Sequence, residues 1–491
     1  MKKKFGLAAL AAALAAVASL AIPGPASAAS VTTTIAEKTS ELNMVWVAVA
    51  CVLVFLMQAG FMFLEIGFSR QKNAGTGVAK IFVNFAICTI AWWAIGYGIA
   101  EGGGNKIFGD SGFFFHFNQS VAGDLVTGET AMLMLYGLAF CAVSLAIVWG
   151  TTLERIKFGA YVIYAIVFGA IIYPLVAHAV WGGGLLSDIG GKPVMDFAGS
   201  SVVHLTGAVG ALAALLLLGP RIGKYDKDGN PRAIPGHSMP LVGLGLIILW
   251  IGWFGFNGGS TFETGGSFFG EVMLISQLAA AAGVIGASIA VYVKGRAVDV
   301  GMAGNGAIAG LVAITAPAGF VEYWAAPIIG VLAGVLVVFA VLAIDKKVDD
   351  PVGALSAHGL AGIWGTLAVG IFASPRLISE GAGPGIWYGI FGDASLSSAF
   401  GQLGVQALAV VFTFVVVLAI SLITFFGIKK TIGLRVPAEE EEAGLDISSH
   451  GMYGYPEAFI PQPEYSTGLP ELTQRGPAPA VVTPMTAPET S

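Results

Sequence analysis

The sequence predicts an all-α polytopic membrane protein, and three observations support that fold class. Hydrophobic residues fill 56% of the 491 positions and charged residues only 11%, with a mean hydropathy of +0.81. A soluble globular protein is excluded, because its surface needs more charge than this. Long apolar stretches recur along the chain, and its 69 glycines suit helices that pack backbone to backbone in lipid.

The N-terminus predicts a cleaved signal peptide over residues 1–28. Lys2, Lys3 and Lys4 precede an apolar run of alanine and leucine, which ends in the small residues of an Ala-x-Ala site at Ala26 and Ala28. A basic start, a short apolar segment and such a site are the parts of a secretory signal. We therefore assign residues 29–427 to the membrane domain.

Eleven apolar stretches are long enough to be membrane-spanning helices. They cover about residues 43–68, 78–100, 130–150, 158–180, 198–219, 240–257, 268–293, 303–317, 324–344, 353–373 and 402–427. Cys51, Cys88 and Cys141 all lie inside these stretches, which argues against a disulfide or zinc framework.

Basic residues predict the orientation, because cytoplasmic loops are enriched in lysine and arginine. With the mature N-terminus outside, the inner side receives sixteen of them and the outer side four. The inner set is Arg70, Lys72, Lys80, Arg155, Lys157, Arg221, Lys224, Lys227, Arg232, Lys294, Arg296, Lys346, Lys347, Lys429, Lys430 and Arg435; the outer set is Lys38, Lys106, Lys192 and Arg376. An odd number of spans then leaves the C-terminus inside.

Two apolar segments each carry an aspartate eight residues before a histidine. They are DFAGSSVVH from Asp196 to His204 and DPVGALSAH from Asp350 to His358. Ionisable groups at membrane depth are costly, so both histidines are functional candidates. Eight helical residues rise about 12 Å, which puts each histidine near the middle of a hydrocarbon core about 30 Å thick.

The predicted orientation makes the fifth span enter from outside and the tenth from inside, so the two imidazoles would meet at the midplane. This opposition predicts an inverted repeat of five plus five spans, with the site where the halves meet. The eleventh helix would lie outside the repeat.

Simpler roles exist for each of these residues. A membrane histidine could merely bond a neighbouring helix, and Asp196 could simply cap a helix N-terminus. We favour a pore role for the two matched histidines and structural support for the two aspartates. Glu65, inside the first span, suits a buried hydrogen bond as well as a transport role. Ordinary surface roles are predicted for the other histidines, His116, His178, His237 and His450.

Aromatic residues lie near the predicted outer ends of two spans. Trp181 begins an outer loop at WGGGLL, and Phe256 ends the sixth span in GWFGFNGGS, with Ser260 close behind. An interfacial tryptophan is common without any further role. A tryptophan face at a pore mouth also attracts small cations. Phe256 is open to two interpretations, as core packing or as a gate.

These residues belong to longer motifs by which the chain resembles the ammonium transporter family. That family comprises ammonium transporters, methylammonium permeases and Rhesus proteins, and the resemblance is to the ammonium transporters. The motifs are MQAGF from Met57, LERIKFGAY from Leu153, WGGGLL, DFAGSSVVHLTGAVGALAALLLLGPR, GWFGFNGGS, DDPVGALSAHGLAGIWG from Asp349 and GLRVPAEEEEAGLDISSHG from Gly433. The resemblance covers about residues 43 to 455. It implies a homotrimer of eleven-span protomers in the cell membrane, each with its own pore.

The resemblance also implies the site residues. It places an outer cation site at Trp181 and Ser260, a stacked phenyl gate at Phe140 and Phe256, the pore histidine pair at His204 and His358, and Asp196 at the pore mouth. One residue departs from the family pattern. Where the family often has phenylalanine one turn before the gate, this chain has Tyr136, which keeps the π face and adds a hydroxyl.

Together these features predict a transporter of ammonium or methylammonium, not an enzyme. The cation is recruited at the aromatic mouth and deprotonated, and ammonia passes a narrow apolar pore that penalises bare ions. Potassium cannot lose a proton and is excluded. No cofactor or nucleic-acid partner is expected, and no phosphate-binding loop accompanies the spans, which argues against a built-in ATPase.

The tail is predicted to have two parts. Residues 428–455 match the family's regulatory segment, and the resemblance implies docking of a PII-type regulatory protein at the cytoplasmic face. Residues 456–491 hold eight prolines and are predicted to be disordered.

Three other functions are alternatives to ammonium transport for this sequence. An ammonium receptor would bind the ion and signal with little flux, although the chain carries no output domain. An intramembrane hydrolase would use the histidines differently, but no nucleophile motif or metal-ligand cluster supports it. A Rhesus-like gas channel is disfavoured by Trp181 and the tail motif.

Overall fold

A computed structural model describes residues 35–115 and 128–459, and helices dominate both ranges. No β-strand occurs in them beyond isolated bridges. The predicted signal peptide, His116 and nearly all of the predicted disordered extension lie outside the described residues.

Eleven long helices form the bundle, and we number them α1 to α11. They are Ile35–Phe68, Gln71–Glu101, Gly128–Thr151, Phe158–Val180, Ser200–Leu218, Met239–Gly258, Phe268–Gly295, Val300–Thr315, Ala325–Ile344, Leu355–Phe372 and Leu396–Thr431. Ten of the helices in the described ranges are long and apolar enough to cross a membrane, and α8 is a shorter apolar helix. The predicted all-α polytopic membrane fold is confirmed.

Small residues bring α7, α8 and α9 into backbone contact. A Cβ atom added at Gly330 of α9 would lie 2.1 Å from the carbonyl oxygen of Ala279 in α7. A Cβ at Gly334 would lie 2.1 Å from the Gly283 oxygen. Van der Waals packing between small residues is the main source of helix association in lipid, which accounts for the glycine content of these segments.

Several helices contain a turn of π-helix, and three of these turns carry predicted site residues. His204 lies in Ser200–Leu205, Phe256 in Phe254–Gly258 and His358 in Leu355–Leu360. The wider turn rotates the following side chains relative to a regular α-helix, and such turns are frequent at functional sites.

The tail folds back on one end of the bundle. Its backbone pairs with the loop between α3 and α4, where Lys157 donates to Leu434 and Val436 donates to Arg155. Short helices follow at Ala438–Ala443, Leu445–His450 and Pro456–Phe459. The extension that was predicted to be disordered therefore begins with one helical turn. Proline is tolerated at the first helical position, because the N–H that it lacks would have no helical partner there.

Candidate functional site

The two histidines of the matched segments meet inside the bundle. Their Nδ1 atoms are 3.3 Å apart and their ring centroids 5.3 Å apart. His204 is fully buried and His358 is 6% exposed. In a neutral pair joined through Nδ1, one ring donates and the other accepts, so the two rings must be opposite tautomers.

Asp196 holds the start of α5. One carboxylate oxygen accepts from the backbone N–H groups of Gly199 and Ser200, and the other accepts from the backbone of Ser201 and Val202 and from the Ser201 hydroxyl. The carboxylate thereby satisfies the first N–H groups of the helix. Gly199 has φ of 110°, a left-handed conformation that favours glycine.

Asp350 holds the start of α10 in the same manner. Its carboxylate accepts from the backbone of Gly353 at 3.0 Å and of Leu355 at 2.7 Å, and Gly353 has φ of 74°. Both segments therefore share an aspartate, a left-handed glycine three residues later and a histidine eight residues later. The glycine spacing was visible in the sequence and would have strengthened the repeat prediction.

Two stacked phenyl rings lie next to the histidines. The rings of Phe140 and Phe256 lie 4.0 Å apart between centroids and 9° from parallel, and both are buried. The Phe256 ring is 5.5 Å from His204. A separation of 4.0 Å is van der Waals contact, so no water molecule fits between the two rings.

The Tyr136 hydroxyl reaches the backbone at Phe256. It lies 2.9 Å from the Gly255 carbonyl oxygen and 3.0 Å from that of Phe256, to which it can donate. The Ser260 hydroxyl donates to the same Phe256 oxygen at 2.8 Å. The added hydroxyl therefore fixes the π-helical turn of α6, while the tyrosine ring stays 4.7 Å from Phe140.

Trp181 lies beside the stacked phenyl rings and lines an open cavity, which we call the vestibule. Its indole N–H donates to the Asp196 carbonyl oxygen at 2.8 Å, and its ring meets Phe140 edge to face at 6.3 Å. The vestibule is a cavity of about 640 Å³. Residues on its wall include Glu101, Glu129, Tyr136, Phe140, Trp181 and Ser260.

Seven of the eight sequence-predicted site residues form a continuous group from the vestibule wall through the phenyl pair to the histidine pair, and Asp196 caps α5 beside Trp181. Sequence reasoning missed Trp253, whose ring stacks on His204 at 5.1 Å while its N–H donates to Thr315. Trp253 precedes Phe256 by three residues in GWFGFNGGS, so helical spacing placed it on the same face.

The predicted surface role of His178 is wrong. The side chain is fully buried, with Nδ1 3.1 Å from the Ala100 oxygen and Nε2 2.7 Å from the Asn105 oxygen. The segment that follows α2 folds over the end of α4 and covers the imidazole ring. This contact is tertiary, so no local sequence pattern predicts it.

Comparisons with known proteins identify a family. A family model described as "Ammonium Transporter Family" matches residues 45–455. The ammonium transporter Amt2 of Archaeoglobus fulgidus is 40% identical over 430 residues, covering 84% of this chain and 88% of that protein. The ammonium transporter of Bacillus subtilis is 33% identical over 423 residues, covering 85% and 99%.

Solved structures share the fold. A protein titled "Sensor Amt Protein" superposes with a TM-score of 0.77 at 33% identity, covering 85% of this chain and all of that one. Mep2 of Saccharomyces cerevisiae superposes with a TM-score of 0.71 at 29% identity, covering 86% and 93%.

Proposed function

The chain belongs to the ammonium transporter family, and from that premise we propose that it recruits ammonium or methylammonium at an outer aromatic site, deprotonates it and conducts ammonia along the histidine pair. Members of this family are transport proteins, not enzymes, and the chain is a multi-pass protein of the cell membrane. The observation that carries the mechanism is the order of side chains along the path, from open vestibule to closed phenyl pair to paired imidazoles.

Recruitment uses the vestibule wall. The Trp181 face attracts a small cation with about 0.5 to 2 kcal/mol. The Ser260 oxygen adds a hydrogen-bond acceptor, since its own proton is donated to Phe256. Glu101 and Glu129 on the same wall add negative charge that raises the local cation concentration.

Selection follows from the phenyl pair. Ammonium and potassium are similar in size, so a sieve cannot separate them. An ion that enters the contact between Phe140 and Phe256 loses its water without gaining polar partners, at a large cost in free energy. Ammonium avoids this cost by leaving its proton behind, and potassium has no proton to leave.

The neutral ammonia molecule then reaches the histidine pair. Imidazole both donates and accepts, so His204 and His358 offer ammonia hydrogen bonds in an otherwise apolar conduit. The Nε2 atom of His204 is buried without a partner in the described protein, which leaves one polar atom available to the guest.

The assembly and its orientation are part of the proposal. We infer a homotrimer with the N-terminus outside and the tail inside, and docking of a PII-type protein at the tail end. The excess of basic residues at the loops after α1, α3 and α5 supports the orientation. The fold of the tail over these loops is consistent with a regulatory role for residues 428–455.

The test is methylammonium uptake into liposomes that contain the purified protein. We expect saturable uptake, and a loss of affinity for Trp181→Leu of about twofold to thirtyfold, from the cation–π energy above. The control is Trp387→Leu, because Trp387 is half-exposed on a short helix away from the vestibule. Equal uptake by liposomes without protein would refute transport, and an unchanged affinity for Trp181→Leu would refute the recruitment site.

An ammonium receptor is the second candidate. The observation that favours it is the solved structure titled "Sensor Amt Protein", which is 33% identical to this chain. A receptor of this kind would bind methylammonium to the purified protein without flux above that of empty liposomes. The uptake experiment therefore separates the two functions directly.

A further inference from the structure

Glu65 of α1 is a buried acid with no hydrogen-bond partner. The residue is 1% exposed, and neither carboxylate oxygen has a partner in the part of the chain that the structure describes. Burying an unpartnered charged group is costly, and a buried acid in a transmembrane helix is a functional candidate by default. The mechanism above does not use it.

The carboxylate and the pore histidine share one cavity. Glu65 and His358 both line a narrow space of about 20 Å³ on the side of the histidine pair away from the vestibule. A polar space above about 10–15 Å³ holds one water molecule. The wall also includes Phe61, Leu249, Asn305 and Ile308.

Gly150 of α3 keeps this space open. A Cβ atom at that position would lie 3.4 Å from the nearer Glu65 carboxylate oxygen and 2.9 Å from a methyl carbon of Val352. A side chain at this position would therefore crowd Val352 and contact the carboxylate, so glycine leaves the most space on this wall of the cavity.

Lys80 of α2 is the cation near Glu65. The structure places it inside a helix, fully buried, whereas the sequence analysis counted it with the inner loops. Its ammonium group has no hydrogen-bond partner among the described residues and no carboxylate within 4 Å there. Glu65 and Lys80 are therefore close enough to interact but do not form a direct ion pair.

The groups that face Glu65 from the surrounding helices are few. Lys80 comes from α2 and His358 from α10, and Tyr161 of α4 donates its hydroxyl proton to the Lys80 carbonyl. The wall contributed by α3, α6 and α8 is formed by Ala146, Ile147, Gly150, Leu249, Asn305 and Ile308, none of which is ionisable. Among the described residues, His358 is thus the only other titratable group on the wall of this cavity.

We propose that Glu65 is the proton-exchange residue at the inner end of the pore. In a first step, the proton that ammonium gives up binds the neutral histidine pair, and an N–H proton of the pair passes through one water molecule in the cavity and forms an O–H bond on the Glu65 carboxylate, which returns the pair to its neutral state. In a second step, that O–H bond breaks and the proton binds ammonia leaving the pore. Ammonium is released inside and the carboxylate is regenerated. The inference rests on the proposed function.

The test measures ammonium-dependent current and ammonia permeability on the same liposomes. Glu65→Gln keeps the size of the side chain and removes its exchangeable charge. We expect the current to fall at least about tenfold, as for loss of a proton-transfer group, with ammonia permeability unchanged within about twofold. Glu65→Asp should retain more current than Glu65→Gln, because it keeps an acid.

A counter-ion role predicts different results. If Glu65 only neutralises Lys80, the double variant Glu65→Gln/Lys80→Gln restores the current, and the inference fails. It also fails if Glu65→Gln keeps the native current, if current and permeability fall together, or if the native protein transports without current. Absence of any transport by the native protein would instead refute the proposed function.

Infrared difference spectroscopy of the native protein gives a readout that needs no amide variant. Addition of ammonium should change a carboxylic acid band, and Glu65→Asp should shift that band. A spectrum without a carboxylic acid band that responds to ammonium would contradict the assignment.

Discussion

Asp446 in the tail caps the regular α-helical part of α2, which begins at Ala74 after a 3₁₀ turn. Its carboxylate accepts from the Thr76 backbone N–H at 2.8 Å and from the Thr76 hydroxyl at 3.0 Å, and it also accepts from the Gly75 N–H. A residue far along the chain thus satisfies the free N–H groups of a bundle helix and complements its dipole. This contact fixes the tail to the membrane domain.

Loss of this cap should release the tail. Asp446→Asn removes the charge, at a cost of about 1 kcal/mol, and we expect faster proteolysis of residues 433–455 and faster amide exchange at Thr76. The control is Asp188→Asn, because Asp188 accepts a backbone hydrogen bond in an exposed loop away from the tail. Proteolysis of the tail at the native rate would contradict the contact.

The Tyr136 hydroxyl should support stability more than recruitment. In Tyr136→Phe the Gly255 carbonyl keeps the Gly259 N–H as a donor, so only the buried hydrogen bond from the tyrosine hydroxyl is lost, at a cost of about 0.5–1.5 kcal/mol, while the ring face remains. We expect a lower unfolding temperature with methylammonium affinity within about threefold of native, since the cation–π contact survives. Tyr97→Phe, at another position on the vestibule wall, is the matched control. A large loss of affinity with unchanged stability would show that the hydroxyl binds the substrate.

The buried ion pair between Asp349 and Arg221 should make the stability of the fold sensitive to acid. Burial alone would raise the pKa of Asp349, but hydrogen bonds from Arg221 and the charges of Arg221 and Arg155 lower it to about 2. A lowered carboxyl pKa stabilises the fold above its unfolded value of about 3.9, and this stability is lost as pH falls towards 2. The contribution is about 2 kcal/mol at neutral pH.

Asp349→Asn should therefore unfold at a lower temperature than the native protein at pH 7, with the difference shrinking below about pH 4. Buried Arg155 loses its paired carboxylate in this variant, which adds to the loss, whereas Arg221 keeps Glu154 at 3.6 Å. Thermal unfolding in detergent across this pH range measures it. A difference that stays constant with pH would refute the electrostatic origin.

Removal of one gate ring should admit ions. Phe256→Ala leaves Phe140 without its stacked partner and opens the contact to water, so we expect a potassium conductance that the native protein lacks. The control is Phe262→Ala, because the Phe262 ring lies on the vestibule wall beside Tyr136 and outside the stacked pair. Continued exclusion of potassium by Phe256→Ala would place the barrier elsewhere.

The sequence predicted the helices and the histidine pair because their signals are local. Apolar length marks each helix, and a shared eight-residue spacing marked His204 and His358. Phe140 came only from family resemblance, since its partner lies on a distant helix and stacking leaves no periodic pattern. The burial of His178 was missed because the loop that covers it is placed by tertiary contacts. The burial of Lys80 was missed because its helix begins before the apolar run that marks it in the sequence.

The most direct test of a deprotonating pore is methylammonium flux and potassium current recorded on the same liposomes, for the native protein and for His358→Ala. We predict saturable methylammonium flux with no potassium current in the native protein, and a changed flux in the variant. Potassium current through the native pore, or a variant with native flux and selectivity, would contradict the account.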